Sequence, residues 1–79
     1  MTLDSLPPRT RAKIIAVDWA ALAPEEGKRL RALGIDNGAH VAIAHRGVLA
    51  GKDPIALLVG RMTVAVRRSH AQAIEVDRI

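Results

Sequence analysis

The 79-residue chain contains no cysteine, phenylalanine or tyrosine, and Trp19 is its only aromatic residue of the Phe, Tyr and Trp class. The lack of cysteine excludes disulfide bonds, thiolate zinc sites and cysteine nucleophiles. No apolar run approaches the roughly 20 residues of a membrane-spanning helix, and the first residues lack the basic-then-apolar order of a signal peptide. We therefore expect a soluble, cytoplasmic protein with one domain over residues 1–79.

The charge balance is basic, with 12 Lys and Arg against 8 Asp and Glu and a formal net charge of +4. The basic residues are spread along the chain, which is typical of a solvated surface, although the sign also suits an anionic partner. Small β-barrels often bind nucleic acid, but readers of single strands stack bases on aromatic side chains, and this chain has one tryptophan. We expect no nucleic-acid partner, and we keep a small basic β-barrel that binds nucleic acid as the alternative hypothesis.

The first half of the chain predicts one strand and one helix. Residues 11–18 are short and rich in β-branched side chains, as in a strand. Residues 22–34 read as a helix because Pro24 suits a first turn, acidic residues follow it, and arginines lie toward the end. Gly34 falls where a left-handed C-cap is needed, and Ile35 falls where such a cap returns an apolar contact to Leu30.

The second half alternates turn signals with short apolar stretches. Asn37-Gly38 predicts a chain reversal, and residues 47–53, with two glycines, predict a loop. Gly60-Arg61 predicts a two-residue hairpin turn, and Ser69 is expected to cap a single turn over 69–73. The segments predicted as strands are 39–46, 54–59, 62–67 and 74–76. So many short strands in so few residues favour a mainly β fold, a small bent barrel of about five strands with one short helix.

The histidines, His40, His45 and His70, are the side chains here that best suit an iron or zinc site. His40 and His45 are an odd number of positions apart, which places them on opposite faces of a regular strand; only a bulge would bring both to one ion. His70 would need one of them and a carboxylate. We predict no specific metal site and no cofactor.

Catalytic motifs are also missing from the sequence. The stretch "GVLAGKD" resembles a phosphate-binding loop in composition, but Asp53-Pro54 and a strand follow it instead of a helix. Ser69 and His70 are adjacent, where side chains of a turn usually diverge, so they do not form a nucleophile and base pair. We therefore predict that the protein is not an enzyme.

Two stretches follow one another in the sequence, "RLRALGIDNGAHVAI" and "DPIALLVGRMTVAVRRSHAQAIEV". In this order they closely resemble the FeoA family, small accessory proteins of bacterial ferrous-iron uptake. The shared features are an Arg- and Leu-rich helix that ends in Leu-Gly-apolar, a glycine that opens a strand, and Asp-Pro-Ile before a hairpin. The resemblance covers roughly residues 3–76. The same module is similar to the C-terminal domain of iron-dependent repressors. Relatives usually carry a glycine just before the first strand, where this chain has "PPRT" at 7–10.

The resemblance implies an SH3-like barrel that acts beside the membrane iron transporter FeoB, through its GTP-binding domain, and meets the membrane only through that transporter. It directs attention to the exposed side of the helix and to the 46–53 loop as partner-binding surfaces. Trp19 is expected in the connection between strand and helix, as a lid on the barrel or as an anchor for the partner. The candidate partner-binding residues are Trp19, Arg29, Arg31, Leu33, Arg46, Leu49 and Lys52.

Overall fold

A computed structural model describes the backbone of residues 1–50 and 53–79, and the side chains of residues 1–44 and 54–79. The helices are α1 (Pro24–Ala32) and α2 (Arg68–Ala71), and single 3-10 turns lie at Leu3–Ser5 and Trp19–Ala21. The strands are β1 (Arg11–Val17), β2 (His40–Ala50), β3 (Asp53–Val59), β4 (Met62–Val66) and β5 (Ile74–Arg78). Within the described ranges, no helix has both the length and the apolar character to cross a bilayer.

The strands form one antiparallel sheet in the order β4-β3-β2-β1-β5. Alternate side chains point to one face of the sheet, and this inner face is the core. The core also receives Leu30 from α1 and Leu3 and Leu6 from the N-terminal turn. Its fully buried sheet residues include Ile14, Ile43, Ile55, Leu57, Val66, Ile74 and Val76. The mainly β architecture with one main helix confirms the predicted fold class.

The corner after α1 is built as the sequence predicts. The Gly34 N–H donates to the Arg31 carbonyl at 3.0 Å, and the Ile35 N–H donates to the Leu30 carbonyl at 2.9 Å. These two hydrogen bonds are the pattern of a Schellman cap. Gly34 has φ +91, and Ile35 is fully buried. The turn at Asn37-Gly38 follows, with Gly38 at φ +88. The cap and this turn together set the direction in which the chain enters β2.

Two local predictions are wrong. The segment 47–53 is not a loop throughout, because β2 continues to Ala50 and Ala50 pairs with Asp53 of β3. The pairing shifts register between Arg46 and Ala50, so the glycine at 47 lies in an irregular strand, where glycine is often found. Ser69 does not cap the final turn: α2 begins at Arg68, and the Arg67 carbonyl accepts the first bonds, from His70 and Ala71.

The two edge strands of the sheet have different surroundings. Along β5, Thr2 forms a bridge with Glu75, and the Val76 N–H donates to the Met1 carbonyl at 2.8 Å. The first two residues therefore lie beside this edge, joined to it by a single bridge. At the other edge, β4 returns from β3 through the two-residue turn Gly60-Arg61, as predicted. No described segment pairs with the outer side of β4.

The segment "PPRT" holds an unusual backbone conformation just before β1. Arg9 has φ +63, and it is the one non-glycine residue in the described part of the chain with positive φ. Its N–H donates to the Ile43 carbonyl at 2.9 Å, which fixes the turn against β2. An arginine therefore occupies a left-handed position that glycine adopts more easily.

Candidate functional site

The exposed side of α1 is the surface to which the sequence directs attention. Pro24 occupies the first turn, Glu25 and Glu26 lie near the positive end of the helix dipole, and Arg29 and Arg31 lie near the negative end. Leu30 is fully buried, which holds one side of the helix on the core and leaves Arg29 and Arg31 exposed. Leu33 is half-buried at the C-cap. The helix thus presents a basic end to solvent.

Trp19 and Arg31 form one preassembled pair. The 3-10 turn Trp19–Ala21 places the half-buried indole against the core and alongside α1. Gly27 faces the ring, since a Cβ built there would lie 3.5 Å from Cε3 of Trp19. One turn later, the Arg31 guanidinium carbon lies 4.2 Å from the ring centroid, a cation–π contact. The pair combines a large apolar surface with a charge held in a fixed position.

Arg29 belongs to a different cluster. Its Nη2 donates to Glu26 Oε2 at 2.8 Å and its Nε donates to Oε1 at 3.2 Å, so the pair is bidentate. Nη2 also reaches the carbonyl oxygen of Ala65 in β4, 3.5 Å away. His70 Nδ1 lies 3.2 Å from Glu26 Oε2 but outside hydrogen-bond geometry, and it is a buried atom without a hydrogen-bond partner among the described residues. The cluster joins α1, α2 and β4.

The charges of this cluster change the acidity of its members. The pKa of Glu26 is lowered from its ordinary value of 4.5, mainly because Arg29 hydrogen-bonds to the carboxylate; partial burial opposes this effect. The same bond raises the pKa of Arg29. Glu26 is therefore ionised at neutral pH, and the Arg29 charge is largely balanced by it. Arg29 and Arg31 were both predicted on this helix, and Arg31 forms none of the ion pairs found among the described residues.

The structure brings together part of the predicted partner-binding set. Trp19 and Arg31 are in contact, while Arg29 turns to Glu26 and β4, and Leu33 lies at the following cap. The side chains of Arg46 and Leu49 and the whole of Lys52 lie outside the described residues. Their predicted roles therefore stay predictions.

The shape of β2 bears on the predicted placement of His40 and His45 on opposite faces of a regular strand. His40 is exposed on β2, and His70 is half-buried beside Glu26. The strand between His40 and His45 is not regular, because the pairing with β3 shifts register between Ile43 and His45. The premise of a regular strand is therefore wrong, although the His45 side chain lies outside the described residues. Among the residues that are described, no three His, Asp or Glu side chains form a metal-binding group.

The sequence analysis did not predict the cluster in which Glu26 pairs with Arg29 and lies beside His70. The spacing of Glu26 and Arg29, three residues apart on one helix, is a signal for an intrahelical pair. Nothing in the sequence indicated that α2 would bring His70 to the same carboxylate, because that contact depends on tertiary packing.

The FeoA domain family matches residues 1–78 of the chain. The solved FeoA protein of Chlorobium tepidum is 30% identical, with a TM-score of 0.86 over 100% of this chain and 70% of that one. FeoA of Stenotrophomonas maltophilia, solved with zinc, is described as a prokaryotic SH3 domain protein. It is 34% identical, with a TM-score of 0.77 over 98% of this chain and 89% of its own. The predicted family resemblance and SH3-like fold are therefore confirmed.

A structure of T. acidophilum IdeR shares the fold, with a TM-score of 0.81 at 23% identity. The likeness covers 100% of this chain and 34% of IdeR, and at this identity it shows the fold alone. No curated protein sequence matches the chain.

Proposed function

Because the chain belongs to the FeoA family, which is associated with ferrous-iron transport, we propose that it is a non-enzymatic accessory protein that acts in the cytoplasm on the transporter FeoB. It binds the GTP-binding domain of the transporter and meets the membrane only through that partner. The protein itself carries no cofactor and contributes no catalytic step. S. maltophilia FeoA has been considered as an activating factor of ferrous iron transport.

The observation that supports a binding role is the Trp19–Arg31 pair. Tryptophan and arginine are the residue types that contribute most at protein interfaces. Here the two are held together before any partner arrives, with the guanidinium carbon 4.2 Å from the ring centroid. A preformed contact loses less side-chain entropy on binding than two mobile side chains would. The basic end of α1 would meet an acidic surface on the GTP-binding domain.

The test is a titration of isotope-labelled protein with the GTP-binding domain of FeoB from the same organism, followed by backbone amide NMR. We expect shifts at residues 19–21 and 27–33. Arg31→Glu is expected to weaken binding about tenfold, because it removes the cation–π contact and reverses the charge. Lys13→Glu, an equal charge change at an exposed position of β1, is the control. Equal weakening by both variants, or no shifts at all, would contradict the proposal.

The alternative of nucleic-acid binding gains no support from the site. Arg31 lies over the ring of Trp19, on the surface where a base would stack. The alternative is tested by titrating the protein with single-stranded RNA and with a DNA duplex at low salt. Binding that weakens steeply with salt would favour the alternative.

A further inference from the structure

The hairpin of β3 and β4 fixes which backbone groups of β4 point outward. Gly60 has φ +60 and Arg61 does not have positive φ, the pattern of a type II′ turn with a two-residue loop. In such a hairpin the flanking pair, Val59 and Met62, is hydrogen-bonded, and the bonded pairs then alternate. The N–H and C=O groups of Thr63 and Ala65 therefore point away from β3, toward the free edge.

These outward groups are almost unoccupied. The Ala65 carbonyl accepts the long contact from Arg29 Nη2, at 3.5 Å. No other residue that the structure describes donates to or accepts from the outward groups of Thr63 and Ala65. Both residues are exposed. An edge of this kind is a template for one more strand.

The charged residues of β4 and its flanking positions all have the same sign. The stretch from Gly60 to Arg68 contains three arginines and no acidic residue. Arg61 lies on the turn at one end of β4, and Arg67 is exposed just beyond the other end. An added strand would therefore run between two positive charges. Acidic side chains on that strand would gain from this arrangement, and basic ones would be repelled.

We propose that the free edge of β4 binds an extended segment of a protein partner that carries acidic side chains, and that this segment adds to the sheet as a sixth strand. The outward groups of Thr63 and Ala65 offer up to two donors and two acceptors to its backbone. Arg61 and Arg67 select for acidic residues toward its ends. This site uses neither Trp19 nor Arg31, and it does not rest on the proposed action on FeoB.

A second copy of this chain fits the edge poorly. Two β4 edges that meet antiparallel, related by a two-fold axis, place Arg61 of one copy near Arg67 of the other. Like charges opposite one another destabilise a strand pair. The arginines therefore act against self-pairing while they favour an acidic segment of different sequence.

The experiment begins with selection of binders from a displayed library of random ten-residue peptides on the full chain. The strongest binders are then synthesised, and their affinity is measured by titration. We expect peptides with acidic residues among β-branched ones, and slower amide exchange of Thr63 and Ala65 when they bind. N-methylation of the peptide backbone at alternate residues is expected to weaken binding by about tenfold or more, because it removes the ladder hydrogen bonds.

Two variants locate the site on the protein. Thr63→Pro removes an outward N–H and keeps the ladder to β3, since proline is tolerated at an edge in this position. It is expected to weaken binding about five- to tenfold. Arg67→Glu is expected to weaken binding, whereas Arg78→Glu, the same charge change on β5, is not. Folding of each variant is checked by its amide spectrum.

The N-methylated peptide tests the same hydrogen bonds without any change to the protein. The proposal is overturned if no peptide is enriched, if the enriched peptides are neutral or basic, or if N-methylation and Thr63→Pro both leave affinity unchanged. Formation of a dimer that Thr63→Pro abolishes would also overturn it, in favour of a second copy at this edge.

Discussion

The two edge strands of the sheet, β4 and β5, have five residues each, and their outer sides are treated differently. Beside β5 runs the N-terminal segment, which bonds to Val76 and Glu75 and places Leu3 and Leu6 in the core. On the outer side of β4, the one hydrogen bond that the described residues make comes from the side chain of Arg29, which reaches Ala65 from α1. The β5 edge is covered by backbone hydrogen bonds and apolar packing, whereas the β4 edge is open and flanked by positively charged side chains.

This difference shows two solutions to the same problem. An uncovered edge exposes unpaired backbone groups that invite association with other chains. Covering an edge removes the groups from solvent and adds buried apolar surface, so it contributes to stability. Charges at the ends of an open edge contribute little to stability, but they decide which strands can approach. Substitutions at each edge test whether the covered edge contributes stability and the open edge selectivity.

The largest effect is expected at the covered edge. Leu3 is fully buried, so Leu3→Ala leaves a cavity and is expected to lower the free energy of unfolding by about 2–5 kcal/mol. Thermal and urea denaturation measure this loss. Ile79→Ala, at a side chain that is 70% exposed, is the control and should change stability by less than about 0.5 kcal/mol. A loss below about 1 kcal/mol for Leu3→Ala would mean that the N-terminal segment does not pack as described.

At the open edge, the direction of each backbone N–H decides the effect of proline. Val64 pairs with Leu57 in a hydrogen-bonded pair, so Val64→Pro removes a ladder bond and is expected to cost at least about 2 kcal/mol. Thr63→Pro affects an outward N–H and should cost less than about 1 kcal/mol. Urea denaturation of both variants gives the comparison. Equal losses would show that the outward and inward positions in β4 are not as the register indicates.

A smaller gain is expected where the N-terminal segment turns into β1. Arg9 holds φ +63, a conformation that costs a residue with a side chain about 1 kcal/mol or more. Arg9→Gly is therefore expected to raise stability by about 0.5–1 kcal/mol, after the entropy that glycine loses on folding. Arg11→Gly removes the same charge from the paired strand β1 and should destabilise the protein. If Arg9→Gly does not raise the stability, Arg9 is not strained in the folded protein.

The smallest effect concerns the contact of α1 with the open edge. Glu26→Gln weakens the bond that holds Arg29, and we expect a loss below about 1 kcal/mol at pH 7, because Arg29 is largely in solvent. Since the pKa of Glu26 is lowered by folding, this stabilisation is present above pH 4.5 and disappears as the pH falls further.

Denaturation at pH 7, 5 and 3 tests this pH dependence. The difference between the parent protein and Glu26→Gln should shrink at the lowest pH. Glu25→Gln, at the exposed neighbouring residue, is the control. A difference that is constant with pH would show that the carboxylate charge is not its source.

Local signals allowed the α1 corner and the β3–β4 hairpin to be predicted from the sequence. Gly34, Asn37-Gly38 and Gly60 each act through backbone conformation within a few residues, which sequence alone can indicate. The register shifts of β2 and the place of the N-terminal segment beside β5 depend on pairing between distant parts of the chain. Trp19 and Arg31 were both predicted to be in the site, but their contact was not, because it depends on how α1 packs.

The bonds that cover β5 also bring the two ends of the domain together. The Val76 N–H meets the Met1 carbonyl at 2.8 Å, and Ile79 follows Val76 by three residues. A domain whose ends are adjacent can be inserted into a longer polypeptide, or joined to another domain, without rethreading its strands. T. acidophilum IdeR, in which this fold occupies 34% of the chain, shows the same architecture within a larger protein. The contact that covers β5 thus also leaves both ends on one side of the sheet edge, where a neighbouring domain can be joined.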